Sequence, residues 1–279
     1  MNPLPGIPPQ DAMAPNTPIL RRRAVIKHAA IGGAVLGTSG IVAADPGNRK
    51  GDATYEVTIE NLTASTPTAG PPATGQWFTP PLVATHRQPT SLFTPGEPAS
   101  FELKEIAENG KLGPMKEALS ADEHVDEFVV AAAGAPPPLA PGNEVTVGLS
   151  GDRGRKYLSF VSMLICTNDG FTGVDTLRLP KRVGDEVVVE TNAYDAGTEL
   201  NTEDFADLVP PCQALNGVSS DDAGVGTSDP DLAENGVVHA HPGINAADDT
   251  DPDDGDDDLT QADHGWTDPV GRITVKRTG

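Results

Sequence analysis

Aromatic side chains are scarce in this chain: two tryptophans, three tyrosines and seven phenylalanines make up 4% of it. No aromatic-rich groove for stacking sugars is evident, and any core has to be built from Val, Leu, Ile and Ala. Basic residues are also few, 19 Lys and Arg against 41 Asp and Glu, for a formal charge of −22. A phosphate backbone would be repelled, so nucleic-acid binding is excluded, as is adhesion to anionic lipid. Acid excess with little lysine suggests adaptation to high salt, where screening removes most of the self-repulsion. There are only two cysteines, Cys166 and Cys212. They form either one disulfide or two buried thiols, and the sequence leaves both open. There is no phosphate loop and no dinucleotide fingerprint. Gly148-Leu149-Ser150-Gly151 lacks the spacing of a nucleophile elbow. A glycosidase carboxylate pair is left open by the sequence, but no catalytic residue is assigned and a non-catalytic protein is the expectation.

Long apolar runs are absent beyond the N-terminal region. Arg21-Arg22-Arg23-Ala24-Val25-Ile26-Lys27 is a twin-arginine-type n-region, followed by a Gly/Ala-rich apolar stretch and the small residues Val42-Ala43-Ala44. Residues 1–44 therefore read as an export signal rather than a membrane span, with cleavage ahead of Asp45. No other run is long enough to cross a bilayer. Residues 45–279 are then one exported domain, extracellular or held at the cell envelope, long enough for a sizeable core. Export permits a disulfide. Asn61-Leu62-Thr63 is a glycosylation sequon, expected on a surface-facing position.

Tyr55-Glu56-Val57-Thr58-Ile59-Glu60 alternates with period two and reads as a strand. Further strand signals fall at 82–86, 144–149, 157–165, 186–190, 236–240 and 272–276. Residues 125–133 are apolar and read as either strand or helix. One helix is expected from Pro98-Ala99-Ser100 to a terminator at Gly110, and a second over Met115 to Leu119. Short strands, turn signals and little helix define an all-β sandwich. Residues 216–235 and 246–263 read as long acidic loops. The run from Asp248 to Asp258 imitates a calcium loop but fails the EF-hand spacing, because residue 254 is Asp rather than Gly and Pro252 interrupts it. It reads as a solvated loop.

Two groups of residues carry possible chemistry. Thr167-Asn168-Asp169-Gly170-Phe171 and Tyr194-Asp195-Ala196-Gly197-Thr198-Glu199 each follow a strand-like run. Carboxylates delivered to one end of a sandwich make a hard-cation site, since calcium takes six to eight oxygens. Asp169, Asp195 and Glu199 are the candidates, with Asp175 as a possible addition; in so acidic a chain, capped turns are the competing reading. His239-Ala240-His241 is the second group. Residues i and i+2 on a strand share a face, so this pair, with His86 as a third imidazole, offers a copper or zinc site. The competing reading is a pair of hydrogen-bonding histidines packed beside Trp266.

The chain resembles the spondin domain family, whose modules occur in extracellular-matrix and exported prokaryotic proteins. Val57-Thr58-Ile59-Glu60-Asn61-Leu62-Thr63 resembles the opening strand. Leu92-Phe93-Thr94-Pro95-Gly96-Glu97-Pro98-Ala99-Ser100 is similar to the Gly-Glu-x-Ala-Ser stretch, and Ala84-Thr85-His86 to its small-residue-plus-His segment. Thr167-Asn168-Asp169-Gly170-Phe171 resembles the acidic loop, Tyr194-Asp195-Ala196-Gly197-Thr198-Glu199 the aromatic-Asp-Ala-Gly-Thr-acid signature, and Pro269-Val270-Gly271-Arg272-Ile273-Thr274-Val275 the closing strand. The resemblance implies a C2-like antiparallel β-sandwich with one or two short helices and a calcium ion near Asp169, Asp195 and Glu199. It also implies a module that binds an extracellular protein, a glycan or the cell surface. Glu199 departs from the Asp of animal members, and the animal cysteine pattern is absent.

Overall fold

The computed structural model describes residues 52–63, 74–132, 138–152, 156–218, 220, 222–245 and 258–279. The expected export signal and most of the Asp248–Asp258 run lie outside the described residues. Ten strands and three short helices are described: β1 (Ala53–Asn61), β2 (Leu82–His86), α1 (Phe101–Asn109), α2 (Gly113–Ala121), β3 (Val125–Val130), β4 (Glu144–Gly151), β5 (Tyr157–Met163), β6 (Gly170–Arg178), β7 (Glu186–Thr191), β8 (Ala193–Asp195), α3 (Pro211–Asn216), β9 (His239–Ala240) and β10 (Gly271–Arg277). All strand pairs are antiparallel, in a four-stranded sheet of order β4-β1-β10-β7 and a six-stranded sheet of order β3-β2-β5-β6-β8-β9. The chain is an all-β sandwich.

The smaller sheet obeys the alternation in its sequence. Val57 and Ile59 are fully buried and stand opposite Val147 and Val145 on one side and Val275 and Ile273 on the other. Burying each such side chain is worth roughly 1.5–3 kcal/mol over leaving it exposed. Thr58 points outward to Thr146, their hydroxyls 2.8 Å apart. Between the sheets lie Phe78, Val83, Leu158, Phe160 and Leu164.

The larger sheet is covered on its other face as well. Leu82, Ala84, Val161, Met163 and Phe171 pack there against Leu103 and Ile106 of α1, Met115 and Leu119 of α2, and Phe205 and Leu208. Strands buried on both faces read as continuous apolar runs rather than alternations, which is why β2 and β5 show no period. Helix α1 starts at Ser100, whose hydroxyl accepts the Leu103 N–H, and ends at Gly110 in the left-handed conformation with φ +63°.

The structure departs from the sequence reading in several places. Within the apolar run that begins at Val125, Val125–Val130 form strand β3. Residues 170–178, not assigned as a strand from sequence, form the nine-residue β6. The strand expected over 236–240 is only the two residues of β9. A third helix, α3, adds to the one or two expected. Asn61 is not surface-facing: it is fully buried, and its Nδ2 donates to the carbonyls of Gln76 and Leu139. Its Oδ1 accepts both the N–H and the hydroxyl of Thr63, so the sequon is used as an internal turn.

Candidate functional site

The two acidic segments meet because β6 and β8 pair. Gly170 stands opposite Asp195, which sets Asp169, one residue before β6, beside the end of β8. Cys166, just upstream, is bonded to Cys212 of α3. The two cysteines are therefore a disulfide that ties this segment to the strandless region after β8. Gly197 has φ +67°, and an added Cβ would lie 2.7 Å from Val237 N and O. Glycine is required there both for the turn and for the close passage of the 236–238 segment.

Asp169 is fully buried. Its Oδ2 accepts N–H bonds from Thr198 (2.7 Å) and Glu199 (3.2 Å) and the Thr198 hydroxyl (3.2 Å). Its Oδ1 is buried without a hydrogen-bond partner. Asp195 is also fully buried; its Oδ1 accepts the Gly197 N–H at 2.7 Å and its Oδ2 accepts Asn201 Nδ2 at 2.9 Å. Burial first, and the neighbouring Asp195 charge second, hold the Asp169 carboxyl well above the usual carboxylate range. Asn201, having spent its amide N–H on Asp195, leaves Oδ1 buried and unpartnered. So two oxygen acceptors around Asp195 have no donor among the described residues, in surroundings where an unpaired acceptor costs about 1–3 kcal/mol.

Glu199 does not point its carboxylate at this pair. Its segment is paired with residues 232–236: Glu199 bridges Ala233, and Leu200 N–H donates to Leu232 O. Its backbone N–H serves Asp169. Its carboxyl accepts the Asp229 N–H and faces Glu108, itself held by Lys104 and Ser228. Burial and the Glu108 charge push Glu199 up to about 8. Asp175 is also elsewhere: mid-β6, it accepts from Leu92 N–H, Ser91 Oγ and Ser159 Oγ.

The three imidazoles do not converge. His86 pairs with Tyr157 at the far end of β5, and its Nε2 lies 2.8 Å from Ser159 Oγ; burial pulls its pKa down. His239 and His241 do flank Asp195, with His239 Nδ1 3.7 Å from Asp195 Oδ1. They differ in environment: His239 is exposed, whereas His241 is buried edge-on to Trp266 with ring centroids 5.0 Å apart. Burial pulls His241 down to about 4. Its Nδ1 accepts the Gly243 N–H at 3.1 Å, so the single proton of the neutral ring sits on Nε2. Nε2 is thus a buried donor with no acceptor, the wrong polarity for metal ligation. His239 Nδ1 bonds Val237 O at 2.9 Å and must be the donor, leaving its Nε2 lone pair facing outward.

A second acidic group, Asp204, Asp222 and Asp258, brings carboxylate oxygens within 4.8 Å of one another. Their oxygens cap the local turns, Asp258 on Phe205 N–H and Asp204 on Ala206 N–H.

The class defined by this fold and site is an antiparallel β-sandwich with a buried carboxylate pair at one end. The family model described as Spondin_N, the spondin N-terminal domain, matches residues 53–205. That is more than half of the chain, which belongs to this family. The match takes in Asp169, Asp195, Glu199 and Asn201 and ends before His239 and His241. No curated protein matches the chain.

Proposed function

We propose that this spondin-family module is a non-catalytic calcium-binding domain, exported and acting outside the cell. Its cation-ordered end would contact another protein, a glycan or the cell surface. The observation that carries the reading is the unpartnered, buried Oδ1 of Asp169 beside the equally buried Asp195. Two such carboxylates need a proton or a cation between them. Asp169, Asp195 and the free amide oxygen of Asn201 form a hard, all-oxygen donor set, which suits calcium. Asn201 takes the place expected of the Glu199 carboxylate. Bound there, calcium would supply charge neutralisation and order, tying the segments before β6 and after β8 to one point. The twin-arginine-type leader supports export, and among the described residues no helix is long and apolar enough to cross a membrane.

The alternative, a copper or zinc centre on the histidines, is disfavoured by the His241 tautomer and by the distance of His86 in the fold. Elemental analysis of protein purified without an affinity tag separates the two. One calcium per chain with no stoichiometric transition metal supports the proposal. Stoichiometric zinc or copper, lost in His239→Ala/His241→Ala, overturns it.

A further inference from the structure

The end of the sandwich opposite the carboxylate pair carries the reverse charge. Strand β6 runs from Gly170, beside Asp169, to Arg178, roughly 26 Å away at the rise of an extended chain. At that far end a cleft of about 420 Å³ is lined by Lys156, Arg178, Lys181 and Arg277. Asp152 is the one carboxylate among its lining residues. Four of the chain's 19 basic residues thus gather in one cleft of a protein with a formal charge of −22.

Three basic side chains outside the cleft meet carboxylates. Arg272 bridges Glu60 and Glu190, Lys104 holds Glu108, and Lys111 approaches Glu105. In the cleft, the ammonium and guanidinium groups of Lys156, Arg178 and Lys181 have no carboxylate or hydrogen-bond partner among the described residues. Arg277 is held in place: Nε donates to the terminal Gly279 oxygen at 2.8 Å and Nη1 donates to the Lys181 carbonyl. That places one guanidinium rigidly at the wall while the other three cations stay free to close on a ligand. Tyr55 and Leu179, both buried, supply an apolar wall.

We propose that this cleft binds a compact soluble anion, a phosphate ester on a body of about sugar size. Cations lining one cleft add their fields inside it, while charge beyond a Debye length of about 8 Å is screened. Compactness follows from the surroundings: Asp185 and Glu186 are exposed within a few residues of Lys181. An extended polyanion or an anionic membrane would have to lie against these and the rest of the acidic surface. The apolar wall gives an organic body a contact that inorganic phosphate cannot make. The proposal is independent of the cation site at the other end.

The test is titration of the full chain with a hexose 6-phosphate, by calorimetry and by amide chemical-shift mapping, against inorganic phosphate and phosphatidylglycerol vesicles. Arg178 and Lys181 are exposed, so Arg178→Ala/Lys181→Ala keeps the fold, checked by an unchanged melting temperature. Lys116→Ala, on α2, is the control for loss of an exposed cation outside the cleft. Saturable one-site binding of the hexose phosphate is expected, tighter than inorganic phosphate, with shifts at Lys156, Arg178 and Lys181. The double variant should bind about tenfold or more weakly and the control as wild type. Equal binding by wild type and double variant, an equal loss in Lys116→Ala, or binding to vesicles but not to the sugar phosphate would overturn it.

Discussion

Asp169→Asn separates a cation site from a merely strained pair of acids. The side chain keeps its shape, and the amide oxygen can still accept the N–H groups of Thr198 and Glu199. What is lost is a charge buried against Asp195. Asp169 is raised above its ordinary value of 3.8 in the folded protein. A raised acid contributes stability that is complete below the unfolded value and is lost as pH rises through the folded one. Chelator-stripped wild type should therefore lose stability as pH climbs from about 4 toward neutral, and Asp169→Asn should lose less. At pH 7.5 without metal, the variant should be at least as stable as wild type. Calcium reverses the order. At a hundred times its dissociation constant, a ligand that binds only the folded state adds about 2.7 kcal/mol, which raises the melting temperature of a domain this size by about 5–10 °C. Wild type should show that shift in calorimetric melts and Asp169→Asn should show none. A full calcium shift in the variant, or a metal-free variant far less stable than wild type, refutes the reasoning.

Glu199→Gln should leave the calcium response in place, since its carboxylate faces Glu108. It should also flatten the loss of stability that the group, raised to about 8, causes as pH rises from its ordinary 4.5 through that value; melts between about pH 4 and about pH 9, which bracket those values, check this. Cys166→Ser/Cys212→Ser opens a link with a sequence separation of 46; chain entropy predicts a loss of about 4 kcal/mol, read by denaturant unfolding. Asn61→Ala leaves the Thr63 N–H without its acceptor and takes one donor each from the carbonyls of Gln76 and Leu139; it should cost about 2–3 kcal/mol, and mass spectrometry of chain made in a glycosylating host should find no glycan at Asn61.

How much of this was legible depends on what enforces each part. Strand β1 showed in the sequence because one face is wet, so Glu56 and Thr58 alternate with Val57 and Ile59. Strand β5 showed as an apolar run because helices cover its second face. Apart from the short strand signal at 236–240, the region from residue 200 to 266 showed nothing periodic. It is held by side-chain bonds, such as Glu203 accepting both N–H groups of Asn245, and Asp258 accepting Phe205 N–H. Such bonds have no sequence period. Asp169 and Asp195 were legible through the signature around them. The direction of the Glu199 carboxylate was not, because it follows from pairing with residues 232–236, more than thirty positions along. Asn201 was missed because a single amide carries no signal in a chain rich in acids. Only the orphaned oxygen marks it. His86 looked like a third ligand on composition, but the sheet register puts it at the far end of β5.

The most direct measurement is a crystal structure of the tag-free protein grown in calcium, with the cation located by its anomalous scattering. The account predicts one ion about 2.3–2.6 Å from Asp169 Oδ1 and from oxygens of Asp195 and Asn201, with the Glu199 carboxylate still facing Glu108. A cation held instead by His239 and His241, or calcium only at Asp204, Asp222 and Asp258, would contradict it.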